Sequence, residues 1–142
     1  MPSRTAARIF TRGHILWYRM TGGLIGARAG RIRMLLLTTT GRKTGRRYTT
    51  PLSYLRDGEN MVVVASFGGS PTHPVWYLNL QSHPHATVQA GWRTLDVNAE
   101  TANPEERARL WPLVVQMYRG YEGYQKRTKR EIPLVILKPV AG

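Results

Sequence analysis

Between Thr38 and Pro51 the sequence reads TTTGRKTGRRYTTP. Gly41 and Gly45 permit a tight turn, and Arg42, Lys43, Arg46 and Arg47 gather around it with the Thr44 hydroxyl. Backbone N–H groups set among cationic side chains suit a phosphate or a string of carboxylates. The same residues also suit a solvated basic hairpin, and the loop alone does not choose. Two other phosphate-binding patterns fail on spacing. No GxxxxGK followed by Ser or Thr occurs, because Gly41 and Gly45 enclose Lys43 instead of preceding it, and no GxGxxG is present.

Two further stretches carry residues of chemical interest. From Ala65 to Leu80 the chain reads ASFGGSPTHPVWYLNL, a strand end followed by a glycine turn and a helix start. Gly68 and Gly69 remove side-chain bulk, so backbone amides there can approach a planar ring that the Trp76 indole would cover. Trp76 and Leu80 equally suit a plain core. In MYRGYEGY, Tyr118, Tyr121 and Tyr124 recur every third residue, which on a helix makes a slanted row of phenols. Such a row lines an amphipathic pocket or divides between core and surface, and Gly120 and Gly123 give the segment the mobility of a lid.

Other chemistry is poorly supplied. The chain has no cysteine, which excludes disulfides, zinc–thiolate sites, iron–sulfur clusters and thiol nucleophiles. His83 and His85 flank Pro84 without a third ligand nearby, so no metal site is expected. Neither GxSxG nor paired carboxylates stand out, which leaves hydrolytic chemistry without support.

The elements that must position these residues are mostly strands. Short β-type runs cover Ile32 to Thr40, Arg47 to Leu55, Met61 to Ser66, Ala86 to Ala90, Thr94 to Thr101 and Ile132 to Lys138, each bounded by Gly, Pro, Asp or Asn. Hairpin spacing of this kind predicts a mostly antiparallel barrel in an α+β domain. Helices are predicted from about Pro74 to Ser82 and from Asn103 to about Lys126. The second begins with Asn103 as N-cap, Pro104 at the first position and Glu105 and Glu106 in the first turn. Leu110, Trp111, Val114, Val115 and Tyr118 form its expected inward stripe. Ahead of the barrel, Ile9, Phe10, Leu16, Trp17 and Met20 oppose Arg4, Arg8, Arg12 and Arg19, the pattern of a basic amphipathic helix. Gly22, Gly23, Gly26 and Gly30 then read as a flexible connection, so residues 1–30 form a loosely attached segment and residues 31–142 the barrel domain.

Charge is concentrated at the same end. The net charge is +13, and twelve of the 21 basic residues precede the first acid, Asp57. That field calls for an anionic partner: nucleic acid, an anionic membrane surface or a phosphorylated small molecule. No apolar run is long enough for a spanning helix, and the arginines break the N-terminal segment too often for a secretory signal. A cytoplasmic location is expected, with peripheral contact to the inner face of the cell membrane as an additional reading for residues 1–30.

Taken in order, LLLTTTGRKTG, PLSYLRDG, VVVAS, HPVWYLNL, NPEERARLWP, MYRGYEGYQKRT and IPLVIL resemble the deazaflavin-dependent nitroreductase family, small actinobacterial split-barrel proteins that use coenzyme F₄₂₀. The resemblance runs from about Leu35 to Pro139. It implies a split, flavin-type β-barrel in which reduced F₄₂₀ gives a hydride to a quinone or nitro compound. The phosphate and polyglutamyl tail of that cofactor would answer the positive charge. Carried over by position, Arg42, Lys43, Thr44, Gly45 and Arg47 would hold the anionic end. Pro51, Ala65, Ser66, Val75, Trp76 and Asn79 would line the deazaflavin. Ser53, Tyr118, Tyr121 and Tyr124 would face a hydrophobic organic acceptor, with Ser66 and Tyr124 as catalytic hydroxyls. Two positions depart from the family pattern: Tyr48 stands where a second basic residue often follows the hairpin, and Ser53 replaces an aromatic. The second change puts acceptance of bicyclic nitroimidazoles in doubt. Rival readings are a cofactor carrier or sensor with the same barrel, a flavin mononucleotide (FMN) enzyme and, less favoured, a nucleic-acid binder. Either a monomer or a homodimer fits the resemblance.

Overall fold

The computed structural model describes residues 33–140. The expected N-terminal helix, its glycine-rich connection and the boundary at residue 30 lie outside the described residues. Among the described residues are six strands: β1 (Arg33–Thr40), β2 (Arg47–Asp57), β3 (Asn60–Val64), β4 (His85–Ala90), β5 (Arg93–Thr101) and β6 (Leu134–Pro139). They close into a barrel in the order β1, β2, β3, β6, β5, β4, with every neighbouring pair antiparallel. Three α-helices join them: α1 (Val75–Ser82), α2 (Pro104–Met117) and α3 (Gly120–Arg127).

Why several strands read as unbroken apolar runs follows from burial on both faces. Alternate residues point to opposite sides of a strand. Leu35, Leu37, Met61, Val63, Val135 and Leu137 fill the barrel interior with Tyr77 and Leu80 of α1. Their neighbours Val62, Val64, Leu134 and Ile136 point outward into a second cluster with Leu110 and Val114 of α2 and Tyr121 of α3. The Asn103 start is a full capping box: the Asn103 side chain accepts from the Glu106 N–H at 2.8 Å, and Glu106 Oε1 accepts from the Asn103 N–H at 3.0 Å.

The long helix predicted from Asn103 to about Lys126 is two helices. Tyr118 is extended (φ −147, ψ 106), so the chain breaks between α2 and α3. Glycine is a poor helix former, and Gly120 leaves room for the Tyr118 ring, which an added Cβ would overlap. Tyr118 therefore leaves the inward stripe and is 38% exposed. The third strand likewise stops at Val64, short of the predicted Ser66, because Ser66 is already turned into the helical region (φ −76, ψ −39).

Strand pairing sets up the site. β2 pairs with β1 along Arg47–Tyr54 but meets β3 only at Leu55–Asp57. Its first half thus keeps one open edge, the setting in which a proline such as Pro51 is tolerated in a strand. This opening is the split in the barrel.

Candidate functional site

One large cavity, of about 1000 Å³, lies along that opening. Its walls come from β1 and β2, the loop after β3, the start of α1, and the three tyrosines of the α2–α3 corner. From Tyr48 to Ser53 the β2 wall rises five residue steps, or about 17 Å at roughly 3.4 Å per residue. The site is long enough to hold different chemistry at its two ends.

At one end is the β1–β2 hairpin. The Gly41 N–H donates to Arg46 O at 2.7 Å and the Gly45 N–H to Gly41 O at 2.9 Å. A Cβ on Gly41 would stand 2.6 Å from the Tyr48 ring and 2.7 Å from Thr44 Oγ1, so a side chain there would have to push both aside. The Thr44 hydroxyl accepts from the Arg46 N–H at 3.2 Å and lies 3.1 Å from the Tyr48 hydroxyl. Arg42, Lys43 and Arg46 are exposed, and no carboxylate pairs with them among the described residues. Asn79 fastens this loop to α1. Only 2% exposed, it accepts from the Arg42 N–H at 3.1 Å and donates to Thr39 Oγ1 at 3.2 Å.

At the middle of the cavity the chain after β3 makes a turn of unusual geometry. Phe67 has a positive φ of 45, and Gly68 and Gly69 follow at 63 and 80. For a bulky residue such as Phe67 that conformation is strained, and strain of this kind clusters at ligand sites. Ser66 is buried, and its hydroxyl has no hydrogen-bond partner among the described residues. Phe67 and Val75, with Pro74 and Trp76, offer apolar surface to the same space, and Phe67 is 58% exposed.

The tyrosines close the other end. Their rings meet at centroid distances of 5.0, 6.1 and 6.2 Å, so the helix break gathers the predicted slanted row into a cluster. The Tyr121 hydroxyl lies 2.7 Å from Ser53 Oγ and the Tyr118 hydroxyl 3.2 Å from that of Tyr124. Burial pushes the Tyr121 phenol above its ordinary value, against the opposing influence of the Ser53 hydrogen bond. Tyr124 is raised as well, first by its hydrogen bond with Tyr118. Gly69 lets α3 sit against the turn: a Cβ there would stand 2.8 Å from Tyr124 O.

Of the residues predicted for the site, Arg42, Lys43, Thr44, Pro51, Ser53, Ser66, Val75, Trp76, Asn79, Tyr118, Tyr121 and Tyr124 all line this cavity. Three do not reach its wall. Gly45 closes the hairpin from behind, Arg47 turns away to donate to Thr87 Oγ1 at 2.8 Å, and Ala65 is buried inside the barrel. Sequence reasoning missed Thr39, Thr50 and Leu52 as lining residues. It also missed Arg130, which holds the 65–73 loop from behind. Inward alternation along β1 and β2 was an available signal for the first three. Arg130 offers none, since its acceptors are mostly backbone carbonyls some sixty residues away.

A barrel split along one edge, with a cationic hairpin and an aromatic pocket on one continuous cavity, defines a cofactor-binding protein of the split-barrel class. The chain belongs to the F₄₂₀H₂-dependent quinone reductase family, whose model matches residues 10–139. It is 43% identical over 130 residues to an F₄₂₀H₂-dependent quinone reductase of Mycobacterium tuberculosis, covering 89% of this chain and 87% of that one. Among solved structures it resembles the F₄₂₀H₂-dependent reductase FDR-A, at 40% identity and a TM-score of 0.69 over 74% of this chain and 93% of that one. A domain-swapped dimer at 35% identity aligns with a TM-score of 0.72 over 96% of this chain and all of its own.

Proposed function

We infer that the chain is an oxidoreductase that passes a hydride from reduced F₄₂₀ to a small electron-poor organic acceptor, quinones first and nitro compounds second. One observation carries this reading. In a chain of this family, a single cavity joins a basic hairpin to a buried Ser66 hydroxyl and a cluster of phenols, the hairpin having no carboxylate partner and the hydroxyl no hydrogen bond among the described residues. When bound, the cofactor supplies the hydride, two electrons and one hydrogen nucleus; the protein supplies position and polarity.

Each group has a task that its surroundings allow. Arg42 and Lys43, exposed and without carboxylate partners, hold the phosphate and carboxylates of the cofactor tail by charge-assisted hydrogen bonds. Pro51, Val75 and Trp76 give flat apolar walls for the ring system. Asn79 acts through the hairpin, since both ends of its amide are engaged in holding Arg42 and Thr39. As the acceptor takes the hydride its oxygens gain negative charge, which donation from the Ser66 and Tyr124 hydroxyls would stabilise. The raised Tyr121 and Tyr124 phenols stay protonated at neutral pH, so they donate without carrying charge. A proton from solvent or a tyrosine then completes the reduced product.

Anaerobic mixing of the protein with reduced F₄₂₀ and a quinone tests this, read by the return of oxidised F₄₂₀ absorbance. Many turnovers per protein are expected; tight binding without turnover would make the chain a cofactor carrier. Peripheral contact with an anionic membrane rests on the basic N-terminal segment alone, and among the described residues no helix is long and apolar enough to cross a bilayer. Salt-sensitive co-sedimentation of the full chain with anionic vesicles supports that contact, and its absence ends it.

A further inference from the structure

Arg130 lies outside the cavity wall, in the loop between α3 and β6. Its guanidinium donates to Ser70 O at 2.9 Å, Ala65 O at 3.1 Å and Ser66 O at 2.8 Å, and also contacts His73 Nδ1 at 3.0 Å. An arginine has only donors, so His73 Nδ1 must accept and its ring is neutral with the proton on Nε2. No carboxylate neutralises Arg130 among the described residues, since the adjacent Glu131 pairs with Arg107. A partly buried cation is therefore held mainly by backbone dipoles of a single loop.

The direction of those dipoles matters. In a planar trans peptide the C=O and the following N–H point opposite ways. Drawing the Ala65 and Ser66 carbonyls toward Arg130 therefore aims the Ser66 and Phe67 N–H groups away from it. Neither N–H has a partner among the described residues. Ser66 and Phe67 both line the cavity, and the free Ser66 hydroxyl belongs to the same turn. Arg130 is in turn anchored to α3, because Gln125 Nε2 donates to Arg130 O at 2.8 Å. Arg130 thus joins the helix that carries Tyr121 and Tyr124, through its backbone carbonyl, to the strained turn that carries Ser66, through its guanidinium.

We propose that Arg130 is a positioning residue for the reaction: it holds the Ser66–Phe67 turn so that its hydroxyl and N–H donors face an electron-rich carbonyl or oxyanion in the cavity. The assignment rests on the hydride-transfer reading, and its test has an arm that does not. Lysine offers one charged point where the fork spans four acceptors, so Arg130→Lys keeps the charge and loses the geometry.

Two measurements on the full chain decide it. In the unliganded protein, amide hydrogen exchange of Gly69 and Ser70, whose N–H groups donate to Ser66 O and Phe67 O within the turn, should quicken by about tenfold in Arg130→Lys, while the β1, β4 and β6 amides keep their wild-type rates. In turnover, kcat should fall by about tenfold to a hundredfold with the quinone KM within about twofold, and methylguanidinium should restore part of the rate to Arg130→Ala. Wild-type exchange at the turn, or wild-type kcat in Arg130→Lys, overturns the proposal. So does a loss of protection spread evenly over the barrel, which would mark a general structural role. If wild-type protein fails to oxidise reduced F₄₂₀, the hydride-transfer reading fails, and the exchange arm still decides whether Arg130 fixes the turn.

Discussion

Removing the Ser53 hydroxyl with Ser53→Ala leaves the Tyr121 phenol without its 2.7 Å partner. The size of the effect follows from where that phenol sits. Tyr121 is only 6% exposed, yet it borders the cavity, so water can reach the orphaned hydroxyl from one side. A net hydrogen bond is worth about 1 kcal/mol, and a fully buried orphan costs up to about 3 kcal/mol. Access to the cavity puts Ser53→Ala near the lower end, about 1 to 1.5 kcal/mol, or a melting point lower by roughly 3 to 6 °C for a domain of this size. Because the Ser53 hydrogen bond opposes the upward influence of burial on Tyr121, the phenol should titrate higher still in the variant. The assay is a double-mutant cycle of Ser53→Ala, Tyr121→Phe and both together, read by thermal unfolding, with ultraviolet titration of the phenols alongside. The two changes should couple by about 1 kcal/mol, the double variant being less destabilised than the sum of the singles. Additivity within about 0.3 kcal/mol, or a Tyr121 titration that does not move, would show that the contact contributes nothing.

Other consequences are equally direct. Lys43→Glu should weaken F₄₂₀ binding by tenfold or more and flatten its salt dependence, measured by fluorescence titration over a range of ionic strength. Gly69→Ala should lower the melting point and quinone turnover together, because it adds about 1 to 2 kcal/mol of left-handed backbone strain at φ +80 and sets a methyl 2.8 Å from Tyr124 O. The His73 pKa is lowered from 6.5, first by burial and then by the Arg130 charge. The neutral ring is thus the form the fold prefers. Its contribution is present above pH 6.5 and lost as pH falls through the lowered folded value, so wild type should lose stability below pH 6.5 more steeply than His73→Asn in melts across pH 7.5 to 4.5.

The fold was legible in the sequence wherever local chemistry decides. Asn103, Pro104 and Glu106 specify a helix start by themselves, and the capping box stands where they put it. Turn residues bounded the strands to within a few positions, and Gly41 and Gly45 marked the hairpin. The helix break at Tyr118 was harder to read, since apolar periodicity runs across it and the decisive facts are how Gly120 admits the Tyr118 ring and how α3 packs on Gly69. Residue types alone placed cations at one end of the cavity and phenols at the other. They could not show that Arg47 turns outward to Thr87, because a strand's register decides which side each residue faces. Nor could they reveal the Asn79 bonds to Arg42 and Thr39 or the Arg130 bonds to the 65–73 loop, which join segments far apart in the chain.

The central claim is that the basic hairpin and the cavity beside it hold F₄₂₀. A fluorescence titration of the 142-residue chain with oxidised F₄₂₀, repeated with FMN, tests it most directly. Saturable one-to-one binding of F₄₂₀ at micromolar concentration or below is expected, weakened by Lys43→Glu, with FMN binding far more weakly. Preference for FMN, or binding of neither, would contradict it.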